Sequence, residues 1–157
     1  MTSDSSRNTQ AFILASTDYG TMIVNRFDYK VADSSGGFFG VGAQLLHKGC
    51  FDPEEIRLAL TLLSARRKRY GDGVVAIDCG ANIGAHTLAW AKHMRGWGEV
   101  HAYEAQDRIF YALAGNIAIN NCFNAKAYNK AVADQEGKMD VPCVDYCMPG
   151  SFGSLEL

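Results

Sequence analysis

Four positions in this chain have residue types and spacings that could do chemistry. In VVAIDCGANIGAHTL, residues 74 to 88, an apolar run reaches an acid, Asp78, and then two glycines, Gly80 and Gly84; a further carboxylate, Glu104, follows 24 residues after Gly80. A glycine directly after a strand lets the chain turn tightly, and lacking a Cβ it lets a ligand lie against the backbone. Free amides at the start of the helix that Gly84 opens favour an anion. A carboxylate closing the next strand can accept hydrogen bonds from both hydroxyls of a ribose laid across the strand ends. Together these residues describe a site for a nucleoside with an anionic tail. Asp78 adds a charge that suits a ligand ammonium and repels a pyrophosphate. A dinucleotide is the rival ligand, but its fingerprint is G-x-G-x-x-G, and Gly80-Ala81-Asn82-Ile83-Gly84 carries Asn82 at the middle position, where a side chain obstructs the diphosphate.

The elements that must hold these residues follow from hydrophobic period. VVAIDC is a continuous apolar run of the kind found in buried parallel strands, and His86 to Arg95 continues it as a helix with Leu88, Trp90 and Ala91 for packing. EVHAYE alternates as a second strand. DRIFYALAGNIAINN predicts a second helix, capped by Asp107 with Ile109, Leu113 and Ile117 on one face and ended by Asn120 and Asn121. NAKAYNKAVAD predicts a third strand. This alternation calls for right-handed crossovers and an α/β fold, a Rossmann-like parallel sheet with flanking helices whose ligand lies beyond the carboxyl ends of the strands.

Upstream, residues 1 to 10 carry almost nothing to bury and are expected to be disordered. AFILA and TMIVNRF, separated by STDYG, predict a β-hairpin. Residues 33 to 43 read as a glycine-rich loop without the Lys and Ser/Thr of a phosphate loop. A helix is predicted from 52 to 70, with Asp52 as N-cap, Pro53 at the first helical position and Gly71 as the stop; Ile56, Ala59, Leu60 and Leu63 share its buried face. The expected organisation is therefore a tail over 1–10, a hairpin, loop and helix over 11–72, and a ligand-binding domain over 73–157.

Composition bounds the function. The 157 residues suffice for one core, and no apolar stretch approaches the roughly 20 residues of a spanning helix, which argues against a membrane. A net charge of -2 argues against nucleic acid as the main partner, because phosphate binding wants a basic surface. The run Arg66 to Arg69 is read instead as cations meeting the negative end of a helix dipole. Five cysteines without a paired framework fit reduced thiols in a cytoplasmic protein, and neither they nor His47, His93 and His101 have metal-ligand spacing. Trp90, Trp97, Phe110 and Tyr111 are read as packing between helices and sheet.

IDCGANIG, with HAYEA, NIAINN and AVAD after it, resembles the S-adenosylmethionine-dependent methyltransferases, and within them the FkbM family, whose first motif is D-x-G-A-N-x-G. The resemblance covers roughly residues 74 to 157. It implies S-adenosylmethionine as cofactor, with Asp78, Gly80, Ala81, Asn82 and Gly84 looped around its methionine part and Glu104 on its ribose. It also implies Ala131 and Val132 at the adenine edge, and His86 or Thr87 toward the cofactor carboxylate. The activity implied is methylation of a hydroxyl on a small molecule or sugar, by in-line transfer from the sulfonium. The alternative is a catalytically incomplete module that keeps the nucleoside pocket; a nicotinamide oxidoreductase is a third reading, which Asp78 and Asn82 disfavour. Complete domains of this family have seven strands ordered 3-2-1-4-5-7-6 and a K-I-D-x-E-G motif after the third. That motif is absent up to Leu157, so an incomplete domain is expected, with VVAIDC presenting an edge that the N-terminal hairpin or a second copy of the chain covers. GSFGS, 150 to 154, resembles the family's segment ahead of that motif; it could serve as a mobile lid, and is read here as a frayed connecting loop.

Overall fold

The computed structural model describes residues 10–31 and 38–154. The expected disorder of the tail therefore falls, for residues 1–9, outside the described residues. The hairpin forms as predicted: β1 (Phe12–Thr17) pairs antiparallel with β2 (Gly20–Asn25), and the Thr17 hydroxyl closes the turn by donating to Gly20 O and accepting from Tyr19 N. Two short strands follow, β3 (Lys30–Val31) and β4 (Phe38–Phe39), antiparallel to one another.

The glycine-rich stretch departs from the sequence expectation. Residues 32–37 lie outside the described residues, but Phe38 and Phe39 are strand and Val41–Lys48 is a helix, α1, with Val41, Ala43 and Leu45 buried. Three glycines at 36, 37 and 40 hide it, because its own length is only two turns and its stability comes from docking rather than propensity.

α2 (Pro53–Tyr70) starts and stops where expected. Asp52 precedes it without a side-chain cap bond; its carboxylate accepts instead from Gln44 Nε2 at 3.4 Å. Of the predicted apolar face only Ile56 is fully buried, while Ala59, Leu60 and Leu63 are half-buried. At its end the basic run is engaged locally: Arg67 pairs with Asp72 and lies over Trp97, and Arg66 and Arg69 lie over Tyr70.

Then come β5 (Val74–Cys79), α3 (Ala85–His93), β6 (Gly98–Tyr103), α4 (Asp107–Ile119) and β7 (Ala125–Tyr128), giving a three-stranded parallel sheet in the order β5-β6-β7. The fold is therefore α/β, a parallel sheet flanked by helices and preceded by an antiparallel hairpin. The third strand is shorter than predicted because Asn129 turns its side chain back onto the carbonyls of Glu104 and Ala105. Asp107 lies in the first turn of α4 rather than capping it; Gln106 holds the cap position. β5 is not the uniformly buried strand its composition suggests. Val74, Ala76 and Asp78 are buried toward the helices, whereas Val75 and Ile77 on the other face are 53% and 60% exposed, because the described helices cover one face only. The hairpin does not cover the outer edge of β5 either: it packs on α4 and α1, and among the described residues β5 pairs with β6 alone.

One apolar cluster joins the hairpin and α1 (Met22, Val24, Leu45) to α3 and the sheet (Leu88, Met94, Val100). Burying side chains of this size contributes about 1.5–3 kcal/mol each, so the N-terminal residues and the parallel sheet share their main source of stability. Tyr111, at 55% exposure, does not pack as predicted, while Trp90, Trp97 and Phe110 are partly buried against the core.

Candidate functional site

The site is built at the carboxyl ends of β5 and β6. Gly80 leaves β5 with φ +75°, and a Cβ there would meet nothing within 4 Å, so its backbone faces open space. Its amide and that of Ala81 both donate to Tyr103 O at 2.9 Å, fastening the loop to the end of β6. Gly84, φ +92°, opens α3; any Cβ there would strike Leu113 Cδ1 at 2.7 Å, so the second glycine is a packing requirement of α4 against the loop. Asn82 sits at φ +48°, a left-handed conformation that Asn tolerates through local bonding, and its Oδ1 accepts from Ile83 N at 2.7 Å. Its Nδ2 is buried without a hydrogen-bond partner.

Glu104 is the centre of the arrangement. It is only 5% exposed, and each of its carboxylate oxygens accepts a backbone amide at 2.9 Å: Oε2 from Asn82 N and Oε1 from Gln106 N. A carboxylate offers about four lone-pair sites, so two remain for a ligand. Glu104 lines a cleft of about 330 Å³ whose walls also include Gly80, Asn82, Ala131 and Val132. Two further stretches complete it that the sequence reading did not assign. One is Tyr103, stacked on Tyr128 with ring centroids 4.9 Å apart; the other is Phe152 and Gly153 of the 3-10 turn Phe152–Ser154. Tyr103 could have been found, since it ends β6 immediately before Glu104, where ligands of such sheets lie. Phe152 carried no such signal. GSFGS is no frayed loop: Phe152 is 3% exposed, and its carbonyl accepts from Gln106 Nε2 at 2.7 Å.

The remaining predicted residues are placed differently. Asp78 is buried beneath the loop, outside the cleft wall, and its carboxylate accepts from the hydroxyl and the amide of Thr87. It is thus an anion at the start of α3, supplied from within the fold, and it takes up the Thr87 amide there. Burial pushes its pKa above the ordinary carboxylate value, with the Thr87 bonds opposing. Ala81 and Gly84 support the loop without lining the cleft. Thr87 is wholly buried on Asp78, and His86 packs against Phe51 and Trp90, so neither is at the cleft as the sequence reading had expected. Among the described residues no group of three or more metal-ligating side chains gathers, and no helix is long and apolar enough to cross a membrane.

The residues present fit an adenosyl group: paired acceptors on Glu104 for ribose hydroxyls and open backbone at Gly80. No protein-family model and no curated protein matches the chain. Solved structures do show similarity. A SAM-dependent methyltransferase from Agrobacterium tumefaciens is 12% identical, with TM-score 0.48, over 80% of this chain and 34% of that one. The tRNA (uracil-54, C5)-methyltransferase of Pyrococcus abyssi, in complex with S-adenosyl-L-homocysteine, is 15% identical, with TM-score 0.45, over 84% and 26%. TYW2 of P. horikoshii, in complex with MeSAdo, is 22% identical, with TM-score 0.40, over 81% and 45%. The chain spans less than half the length of each of these structures, and function is drawn here from the residues of the cleft.

Proposed function

We propose that this chain binds S-adenosylmethionine and forms part of a methyltransferase. The observation that carries this reading is Glu104, buried at the end of β6 in the cleft wall with both oxygens oriented by backbone amides. Orientation by two fixed amides removes the need to order the side chain on binding, which is what a preorganised ribose clamp requires. The D-x-G-A-N-x-G motif supports the FkbM family as its finer assignment, with Gly80 and Asn82 beside the methionine part and Ala131 and Val132 beside the adenine.

When bound, the cofactor supplies a methyl group on an electrophilic sulfonium. The chain's own contribution is orientation: Glu104 fixes the ribose and Gly80 allows close approach. Proximity and alignment of this kind are the main source of acceleration in an in-line transfer. The acceptor we infer is a hydroxyl of a small molecule or sugar. A net charge of -2 and a basic run whose members Arg66, Arg67 and Arg69 lie over Tyr70 and Trp97 favour this over nucleic acid.

Calorimetric titration with S-adenosylmethionine, S-adenosylhomocysteine and NAD tests the reading. The two adenosyl compounds should bind and NAD should not. Glu104→Ala, checked for folding by circular dichroism, should lose about 3 kcal/mol of binding, roughly a hundredfold in Kd, for two hydrogen bonds to a charged group. Binding of NAD with equal affinity, or adenosyl binding unaffected by the substitution, would refute it. Adenosyl binding with no transfer to any hydroxyl acceptor would leave the binding module as the better description.

A further inference from the structure

Asp28 is a buried carboxylate, 3% exposed, in the loop between β2 and β3. No ion pair neutralises it among the described residues. It binds two backbone amides from distant parts of the chain: Oδ2 accepts from Gly42 N in the first turn of α1, and Oδ1 from Phe152 N in the 3-10 turn, each at 3.0 Å. The approach is close enough to α1 that a Cβ at Gly42 would lie 2.8 Å from Asp28 Cβ. Around this bond the chain is tied again: Asp28 and Gly150 form an isolated parallel bridge, with Gly150 N donating to Phe27 O at 3.0 Å. Phe152 and Gly153 are cleft wall, and Gly153 lies where an added Cβ would be 3.1 Å from Asn82 Nδ2, the unpartnered donor of the site.

A buried carboxylate with no cation costs free energy that hydrogen bonds to each of its oxygens offset. Here their use joins the N-terminal layer to the cleft. Gln106 holds the same turn from the other side, donating from Nε2 to Phe152 O while Tyr146 donates to its Oε1. The wall is therefore suspended between a side chain at the cap of α4 and one that belongs to the hairpin layer.

We propose that Asp28 is a positioning residue for the cleft: its carboxylate holds Phe152 and Gly153 against Asn82, so that the N-terminal layer sets the width of the adenosyl-binding site. This rests on the cofactor reading above. Asp28 does not touch the ligand. It acts through the turn, and its loss widens the cleft without removing a ligand contact.

The test is Asp28→Asn, in which one of the two amides loses its acceptor while size is kept. Hydrogen exchange and calorimetry with S-adenosylhomocysteine are compared with wild type. The expected result is faster exchange at the Phe152 amide, unchanged protection of Val100 and Ala102 in β6, and affinity lowered about tenfold, the equivalent of one hydrogen bond. Unchanged affinity and exchange at Phe152 overturn the proposal, as does loss of protection in β6 together with the turn, which would make Asp28 merely a stability residue. If the variant does not fold, wild type decides: S-adenosylhomocysteine should protect the Phe152 and Gly153 amides, and binding without that protection overturns the proposal. Absence of any adenosyl binding by folded wild type removes the cofactor reading and this proposal together, whereas binding that is indifferent to Asp28 removes only the latter.

Discussion

Asn116 offers the sharpest test of how the cofactor loop is held. It is wholly buried on α4, and its side chain bridges two other elements: Oδ1 accepts from Ile23 N, while Nδ2 donates to Ile23 O at 3.1 Å and to Ile83 O at 2.8 Å. One amide thus satisfies both main-chain groups of a hairpin residue and the carbonyl next to Asn82. Replacement by Leu keeps the volume and leaves three main-chain groups unpaired, one in a buried bond and two in partly buried ones, at up to about 1–3 kcal/mol each before relaxation. Some of this is recovered by the added apolar contact, so a net loss of about 3 kcal/mol is expected, or roughly 6–12 °C in Tm for a chain of this size. Asn116→Asp keeps the acceptor and turns the donor into a second acceptor facing two carbonyls. Its carboxyl should then titrate above the unfolded value, so the protonated form is the compatible one. Damage should be least below about pH 4 and grow as pH rises through the raised folded pKa. Urea denaturation of the three proteins at several pH values measures both effects. An Asn116→Leu protein within about 0.5 kcal/mol of wild type, the range of an ordinary surface change, would refute the clamp. So would an Asn116→Asp protein whose deficit does not depend on pH.

Thr87→Val removes the hydroxyl that Asp78 accepts while keeping shape; a loss of about 2 kcal/mol in urea denaturation is expected for a bond to a buried charged group. Asp78→Asn should change the pH dependence of stability. Burial raises the Asp78 pKa in the folded state, so the wild-type contribution is greatest below the unfolded value near 3.8 and declines as pH rises through the folded one; the difference between wild type and variant should fall in that direction and be flat elsewhere. Cys79 is an exposed thiol of the cleft wall, so S-adenosylhomocysteine should slow its alkylation by iodoacetamide while Cys143 and Cys147, exposed and outside the wall, react as before, as peptide mass spectrometry would show.

From Val74 to Asn121 the elements were legible because apolar period and turn residues agree there; Gly80 and Glu104, picked out by spacing, and Asn82, picked out by the resemblance, all line the cleft. Other features were hidden for separate reasons. α1 is short and flanked by glycine, so only docking reveals it. The caps assigned to Asp52 and Asp107 followed propensity, but the Asp52 side chain turns to Gln44 and Gln106 takes the place before α4. Phe152 and Asp28 meet across 124 residues, a separation that no local pattern encodes. Asn116, by contrast, was readable in principle: it stands on the stripe that Ile109 and Leu113 define, and a polar residue on a core face must find partners.

The corrected position of Asp78 changes how the site works. A helix start with free amides attracts a ligand's anionic end, but here Asp78 already takes one of them, the Thr87 amide, from below. The loop between β5 and α3 is then tied by Tyr103 O, by Glu104, by Asn116 on Ile83 and, at the helix it leads into, by Asp78, and none of these ties needs a ligand. What the loop leaves unpaired is Asn82 Nδ2, buried beside Gly153. An unsatisfied buried donor costs about 1–3 kcal/mol, so this side chain opposes the ties around it and they must hold it in place. The loop is thus set before any ligand arrives, so little ordering free energy opposes binding in the cleft beside it.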